Sequence, residues 1–369
     1  MPGRVRYGLR VRSGAAPLLL AGVVTGTLAC DGGGQGAERA ERDVVLDTAS
    51  GAVAISLRGE PLVPTPLDSA ARAHYEARLD SARAAYRADP AGADALIWVG
   101  RHLGYLGRYR EAIVAFTEGI ERHPGDARFY RHRGHRYITV RELDRARADL
   151  AHAARLTSGQ ADEVEPDGQP NEAGIPRSTL QTNIWYHLGL ARYLLHDMEG
   201  AAHAFRRGLE ISGNDDMRVA MADWLWLSLM RLGRETEAAS VLAGIGPDME
   251  ILENEAYHRR LLLYKGEIPP DSLIPRPDAE PSDSLIPRPD AELSDSLVPR
   301  PEAEPPDSLA IATHGYGLGA WYLVNGDTVR ARAEFERVLG TGIWPAFGYL
   351  AAEAELAALD AARTPAGAR

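Results

Sequence analysis

Residues Ala93 to Asp126 read ADALIWVGRHLGYLGRYREAIVAFTEGIERHPGD. Leu96, Val99, Gly100 and Leu103 recur at three- and four-residue spacing, and Ala112, Phe116 and Gly119 repeat that spacing after Gly107. A period near 3.6 predicts two amphipathic helices. The same character, rich in Ala, Leu, Arg and Glu, extends from about Leu67 onward.

The neighbouring stretches fall into register with this one. Tyr130, Gly134, Tyr137, Ala146, Leu150 and Ala153 form a second unit, and Trp185, Leu188, Gly189, Ala201, Phe205 and Gly208 a third. A fourth has Ala222, Leu225, Leu229, Leu232, Gly233, Ala238 and Leu242, and a fifth has Leu318, Gly319, Tyr322, Gly326, Ala331, Phe335 and Val338. With Tyr109 and Pro124 added to the first unit, this pattern of bulky, small and aromatic positions every 34 or so residues resembles the tetratricopeptide repeat. The departures are a substituted Trp position in several units, Trp226 where a close-packing Gly is usual, and a missing Pro at most unit ends.

The resemblance implies an all-α fold, an α-solenoid of antiparallel helix pairs wound into a right-handed superhelix, with the first helix of each pair lining the concave face. Small residues at the crossings let the helix axes approach, and each pair needs its neighbours to bury its apolar face. Ser69 to Arg87 is the candidate N-terminal cap, and WPAFGYLAAEAELAAL (344–359) supplies a helix to close the other end. Residues 250–265 read as a helix, the first half of a degenerate unit.

The expected organisation is a signal peptide over 1–29, a tether and extended segment over 30–66, and a repeat array over 67–266 with a loop insertion at 158–179. A Pro-rich linker follows over 267–308, then a C-terminal unit with its cap over 309–361 and a tail over 362–369. In the linker, PPDSLIPRPDAE, PSDSLIPRPDAE and LSDSLVPRPEAE stand head to tail, and Pro at this density excludes regular structure and predicts disorder. Residues 43–64 either form a hairpin around Ser50-Gly51 or lie extended along the first helices.

The N-terminus carries Arg4, Arg6, Arg10 and Arg12, then AAPLLLAGVVTGTLA, then Cys30 and a Gly-rich run. That is the layout of a secretory signal, too short in its apolar part for a membrane-spanning helix. It resembles a bacterial lipoprotein signal, which implies lipidation of Cys30 and a membrane-anchored envelope protein; Leu28 and Ala29 fit, and Thr27 departs from the usual aliphatic. Ordinary cleavage after Ala29 and an uncleaved anchor are the alternatives. Cys30 is the single cysteine, so no intrachain disulfide or thiolate zinc cluster forms.

The net charge is −11, and removal of the basic leader leaves the chain more acidic still. Nucleic acid is therefore not an expected partner. Lys265 is the only lysine, and its setting, LLLYKGEIPP, fits neither a phosphate loop, a Schiff-base site nor a Ser-x-x-Lys enzyme. No GxSxG, HExxH or metal-ligand series is present, so no catalytic residue, cofactor or metal is expected.

One local exception to the acidic balance is FYRHRGHRYITV (129–140), the first helix of the second unit. His132 and His135 lie three apart, a spacing that one ion could bridge, but no third ligand is in place. Between Arg101 and Arg147 there are eleven Arg against six Asp or Glu. Carrying the family's register over places Arg101, Arg131 and His135 on the inner face, with Tyr186 and Tyr193 further along, as candidate partner-binding residues. Such a groove suits an acidic peptide held through Arg. The family's carboxylate clamp does not transfer, because its Asn residues are missing here. In the competing reading the acidic loop with Asp162, Glu163, Glu165 and Asp167 folds back and neutralises the same arginines. The function expected is a non-enzymatic protein-interaction scaffold, the alternatives being an accessory subunit or regulator of an envelope enzyme or assembly, or an enzyme with an unrecognised site.

Overall fold

The computed structural model describes residues 51–166, 171, 173–274 and 308–363. The leader, Cys30 and the tether up to Ser50 lie outside the described residues, as do loop positions 167–170 and 172, linker residues 275–307 and the tail from 364. A two-stranded hairpin, β1 (Ala54–Ile55) and β2 (Pro61–Leu62), precedes thirteen α-helices among the described residues. They are α1 (Ser69–Ala88), α2 (Ala93–Tyr105), α3 (Tyr109–Arg122), α4 (Ala127–Thr139), α5 (Leu143–Leu156), α6 (Leu180–Leu194) and α7 (Met198–Ile211). The series continues with α8 (Asp215–Arg231), α9 (Glu235–Leu242), α10 (Glu255–Tyr264), α11 (Ser308–Val324), α12 (Thr328–Leu339) and α13 (Phe347–Arg363).

Consecutive helices pack on one another from α1 to α9, and α11 on α12, while the first helices of successive units also touch: α2 on α4, α4 on α6, α6 on α8, α8 on α10 and α10 on α11. This is an α-solenoid of helix pairs. Its register is visible in the backbone. The residues Gly107, Arg141, His196, Gly233 and Gly326, each two past the end of a first helix, all have positive φ. The following amide reaches back to the carbonyl five residues earlier, at 2.9 Å in each of Arg108→Leu103, Glu142→Tyr137, Asp197→Arg192, Arg234→Leu229 and Asp327→Tyr322. That is a left-handed helix stop. α10 ends the same way, with Gly266 at φ 76° and Glu267 donating to Leu262, so it is the first helix of a unit without a second.

The crossing glycines read from the sequence sit at the closest approaches. A Cβ on Gly134 would lie 2.7 Å from Leu150, and on Gly189 or Gly319 2.6 Å from Phe205 or Phe335. Gly100 against Phe116 and Gly119 against Phe129 are tighter still. Gly119→Ala sets a methyl inside the buried Phe129 ring, so overpacking of about 1–3 kcal/mol outweighs the roughly 1 kcal/mol gain in helix propensity. Urea denaturation is expected to show a net loss, and a stabilised variant would mean that the ring is free to move aside. In the fourth unit Trp226 takes the place of a crossing glycine, and it stacks on Tyr264 of α10 with centroids 4.0 Å apart.

The hairpin forms, but not around Ser50-Gly51. It turns at 56–60, because Ser56 Oγ accepts from the amides of Arg58 and Glu60 and Gly59 supplies φ 92°. The hairpin ties the two ends of the array together: Val53 O accepts from Arg110 of α3 at 2.8 Å, and Val63 O accepts from Trp344 Nε1, just before α13, at 2.7 Å.

Candidate functional site: a cationic cradle holding an acidic segment

Arg101 and Trp98 lie on α2, Arg131 and His132 on α4, and Asn183 on α6, all on the inward side of first helices. The insertion between α5 and α6 runs back over them. Val164 bridges to Thr179 in antiparallel sense, with Glu165 N donating to Ser178 O at 3.2 Å and Leu180 N to Glu163 O at 2.8 Å. Asp162 holds the base of this loop by accepting from Thr179 Oγ1 and Gln181 N, and Thr179 in turn caps α6.

The pairing delivers Glu165 inward. Its Oε2 forms an ion pair with Arg131 Nε at 3.1 Å and accepts from Asn183 Nδ2 at 3.1 Å, and Oε1 lies 3.7 Å from His132 Nε2. Arg131 is 0% exposed and Glu165 8%, so both charges are out of water. One residue on, Pro166 O accepts from Arg101 Nη1 at 2.7 Å, while the Arg101 guanidinium lies 4.4 Å over the half-buried Trp98 ring. Trp98 stacks on His102, which packs against Tyr105, and Tyr105 against Tyr75 of α1.

Burial, helped by Arg101, Arg78 and His74, pushes His102 down to about 4. Burial also pushes His135 well down, with Arg136, His187, Arg131 and His132 adding to it. Both imidazoles are therefore neutral at pH 7. Among the described residues there is no group of three or more His, Cys, Asp or Glu suited to a metal ion, and no helix is long and apolar enough to cross a membrane.

The five residues selected from the sequence divide into two sets. Arg101 and Arg131 come together in the cradle. His135, Tyr186 and Tyr193 are buried in the core: His135 packs between the tilted rings of His187 and Phe347. Tyr186 Oη contacts Tyr257 Oη at 2.7 Å and accepts from Trp224 Nε1, and Tyr193 Oη accepts from Tyr316 at 2.9 Å. The reason is α13, which packs on α11 and α12, touches α6, and brings Phe347 against His135, Tyr186 and His187. Glu353 and Glu355 of α13 form ion pairs with Arg141 and Arg231. Glu165 reaches Arg131 in the way the competing reading of the acidic loop described, whereas His132 and Asn183 beside it were not among the selected partner-binding residues.

No protein-family model and no curated protein matches the chain. Solved structures of tetratricopeptide-repeat proteins are similar to it. YrrB, described as a TPR protein with an unusual peptide-binding site, is 13% identical over 71% of this chain and 93% of its own, with a TM-score of 0.37. A tetratricopeptide repeat protein from Parabacteroides merdae is 16% identical over 73% and 87%, with a TM-score of 0.38. MamA is 16% identical over 52% and 90%, with a TM-score of 0.36. The solenoid assignment itself rests on the repeated helix stops and crossings.

Proposed function

We propose that the chain is a non-enzymatic scaffold that binds an extended acidic segment of a protein partner in the cradle of α2, α4 and α6. In this reading it is exported, carries lipid on Cys30 and faces the periplasm or exterior from a membrane. The observation that carries the binding part is the way Glu165 and Pro166 are held. A carboxylate and the next main-chain carbonyl are received by Arg131, Asn183 and Arg101, which is how a groove reads an extended acidic peptide. The half-buried Trp98 and the exposed Arg78 and His74 continue the same cationic and aromatic surface toward solvent.

The test is crosslinked capture from an envelope extract, comparing the mature chain with a Trp98→Ala, Arg101→Glu variant that circular dichroism shows to be folded. Arg131 is left in place, because its removal strands Glu165 in the interior. The expected result is a partner held by the parent and lost from the variant, with a palmitate-analogue label on the parent that Cys30→Ser abolishes. Identical partners on both chains would remove the cradle from the reading, and an unlabelled parent would remove the anchor.

A further inference from the structure

The chain contains four Glu-Pro dipeptides, and three of them share a longer pattern of an acid, a small or aliphatic residue, Glu and Pro. One is Glu163-Val164-Glu165-Pro166, the segment in the cradle. The others, Asp278-Ala279-Glu280-Pro281 and Glu302-Ala303-Glu304-Pro305, belong to the tandem repeats, whose middle copy reads Asp290-Ala291-Glu292-Leu293. We infer that these repeat segments are ligands of the same cradle, exchanging with Glu163–Pro166 of the same chain.

The contacts say which features a ligand needs. Of the four residues in place, only the Glu165 side chain is buried, and Glu163, Val164 and Pro166 are exposed. Asp in place of Glu163 therefore keeps a solvated acid, and Ala in place of Val164, which is 62% exposed, forfeits little burial. Position 166 contributes a carbonyl to Arg101, which Pro281, Pro305 and Leu293 all possess. The amide of Glu165 and the carbonyl of Glu163 pair with Ser178 and Leu180 through the backbone alone, so any extended copy can reproduce them. These features of the bound segment are thus present in the repeats.

The linker also departs from the right neighbourhood. Asn171, at the far side of the acidic loop, donates to Glu253, and six residues along the chain Arg259 donates to Ser272 O. From Glu253 to Arg259 the chain spans at most about 20 Å. From Ile274 a stretched chain spans about 20 Å to Glu280 and about 60 Å to Glu292. Charge complementarity does the rest, since an arginine cradle favours whichever carboxylate is nearest and most concentrated.

The inference deepens the scaffold reading by naming a ligand for its groove. Its test uses the full mature chain and a labelled peptide with the sequence of residues 276–283, RPDAEPSD. Glu165→Gln weakens the resident occupant, so the peptide should bind that variant about tenfold more tightly than the parent, and the peptide with Gln at position 280 should bind about tenfold more weakly. Exchange of the Glu165 amide, followed by hydrogen–deuterium mass spectrometry, should slow severalfold when Glu280, Glu292 and Glu304 are all changed to Gln, and equally at low and high protein concentration. Equal binding of the two peptides, absence of saturable binding, or exchange indifferent to the three substitutions would each overturn the inference. If the peptide fails while Trp98→Ala, Arg101→Glu still loses a captured partner, the linker assignment falls and the scaffold reading stands.

Discussion

Arg260→Ala is expected to lower the free energy of unfolding by about 3–5 kcal/mol, the range for breaking a buried ion pair from one side. Arg260 on α10 is 1% exposed and lies 2.6 Å from Asp223 Oδ2 of α8, which is fully buried. The guanidinium also lies 5.2 to 5.6 Å from the ring centroids of Tyr257, Tyr316 and Trp224. Truncation removes the counter-charge and leaves a void among these rings. Burial pushes the Asp223 carboxyl up to about 7, against the downward pull of Arg260 and the Tyr264 hydroxyl. A folded pKa above the unfolded value of about 3.9 means that this group's contribution to stability is fully present below pH 4 or so and is lost as pH rises through about 7. Without Arg260 the carboxyl holds its proton more strongly, so the penalty should be smaller at pH 5 than at pH 8. Urea titrations followed by circular dichroism at the two pH values measure both effects. A loss below about 1 kcal/mol, or one independent of pH, would mean that water reaches Asp223. Asp223→Leu combined with Arg260→Met should recover much of the loss, since apolar side chains of similar size replace a buried pair without the desolvation cost.

The features legible in the sequence are those whose physics is local. Gly100, Gly134, Gly189 and Gly319 announce the crossings because the period of a helix and the size of a ring fix where a side chain cannot fit. Gly107 and Gly233 are repeat positions that turn out to be helix stops, and Arg141 and His196 occupy the equivalent positive-φ position without being glycine. The inward arginines show where local reading ends. An Arg on a first helix reads as a groove residue until its partner is known, and the partners come from elsewhere: Glu165 from an insertion, and Glu353 from 212 residues along the chain. The amphipathic pattern of 344–359 reveals a closing helix, but not that it would fill the face expected to receive a ligand. Tyr186 and Tyr193 are core residues because Phe347 of α13 and the rings of Trp224, Tyr257 and Tyr316 on α8, α10 and α11 close over them. Arg101 and Arg131 instead meet the acidic insertion, at Pro166 and Glu165.

Glu353→Ala should cost about 3–4 kcal/mol and open the molecule at one particular seam. Glu353 is 1% exposed; Oε2 pairs with Arg141 Nη2 at 2.7 Å, and Oε1 accepts from the amide of Leu57 in the N-terminal hairpin. The substitution therefore strands a buried guanidinium and a backbone donor together. Arg141 also donates to Thr139 O and Trp344 O, contacts that hold it at the turn and keep it from swinging into water. Its φ of 65° costs a non-glycine residue roughly 1 kcal/mol or more. Arg141→Gly should accordingly be less damaging than Arg141→Ala by about 1 kcal/mol, although both lose the ion pair. Hydrogen exchange distinguishes local from general damage: in Glu353→Ala, protection should fall in the hairpin at Val53 and Ser56 and along α13, while α6 and α7 keep theirs. Uniform loss across the array would mean that α13 is part of the cooperative core and not a separable closing element. Retention of hairpin protection would mean that the Trp344 to Val63 bond suffices to hold the two ends of the solenoid together.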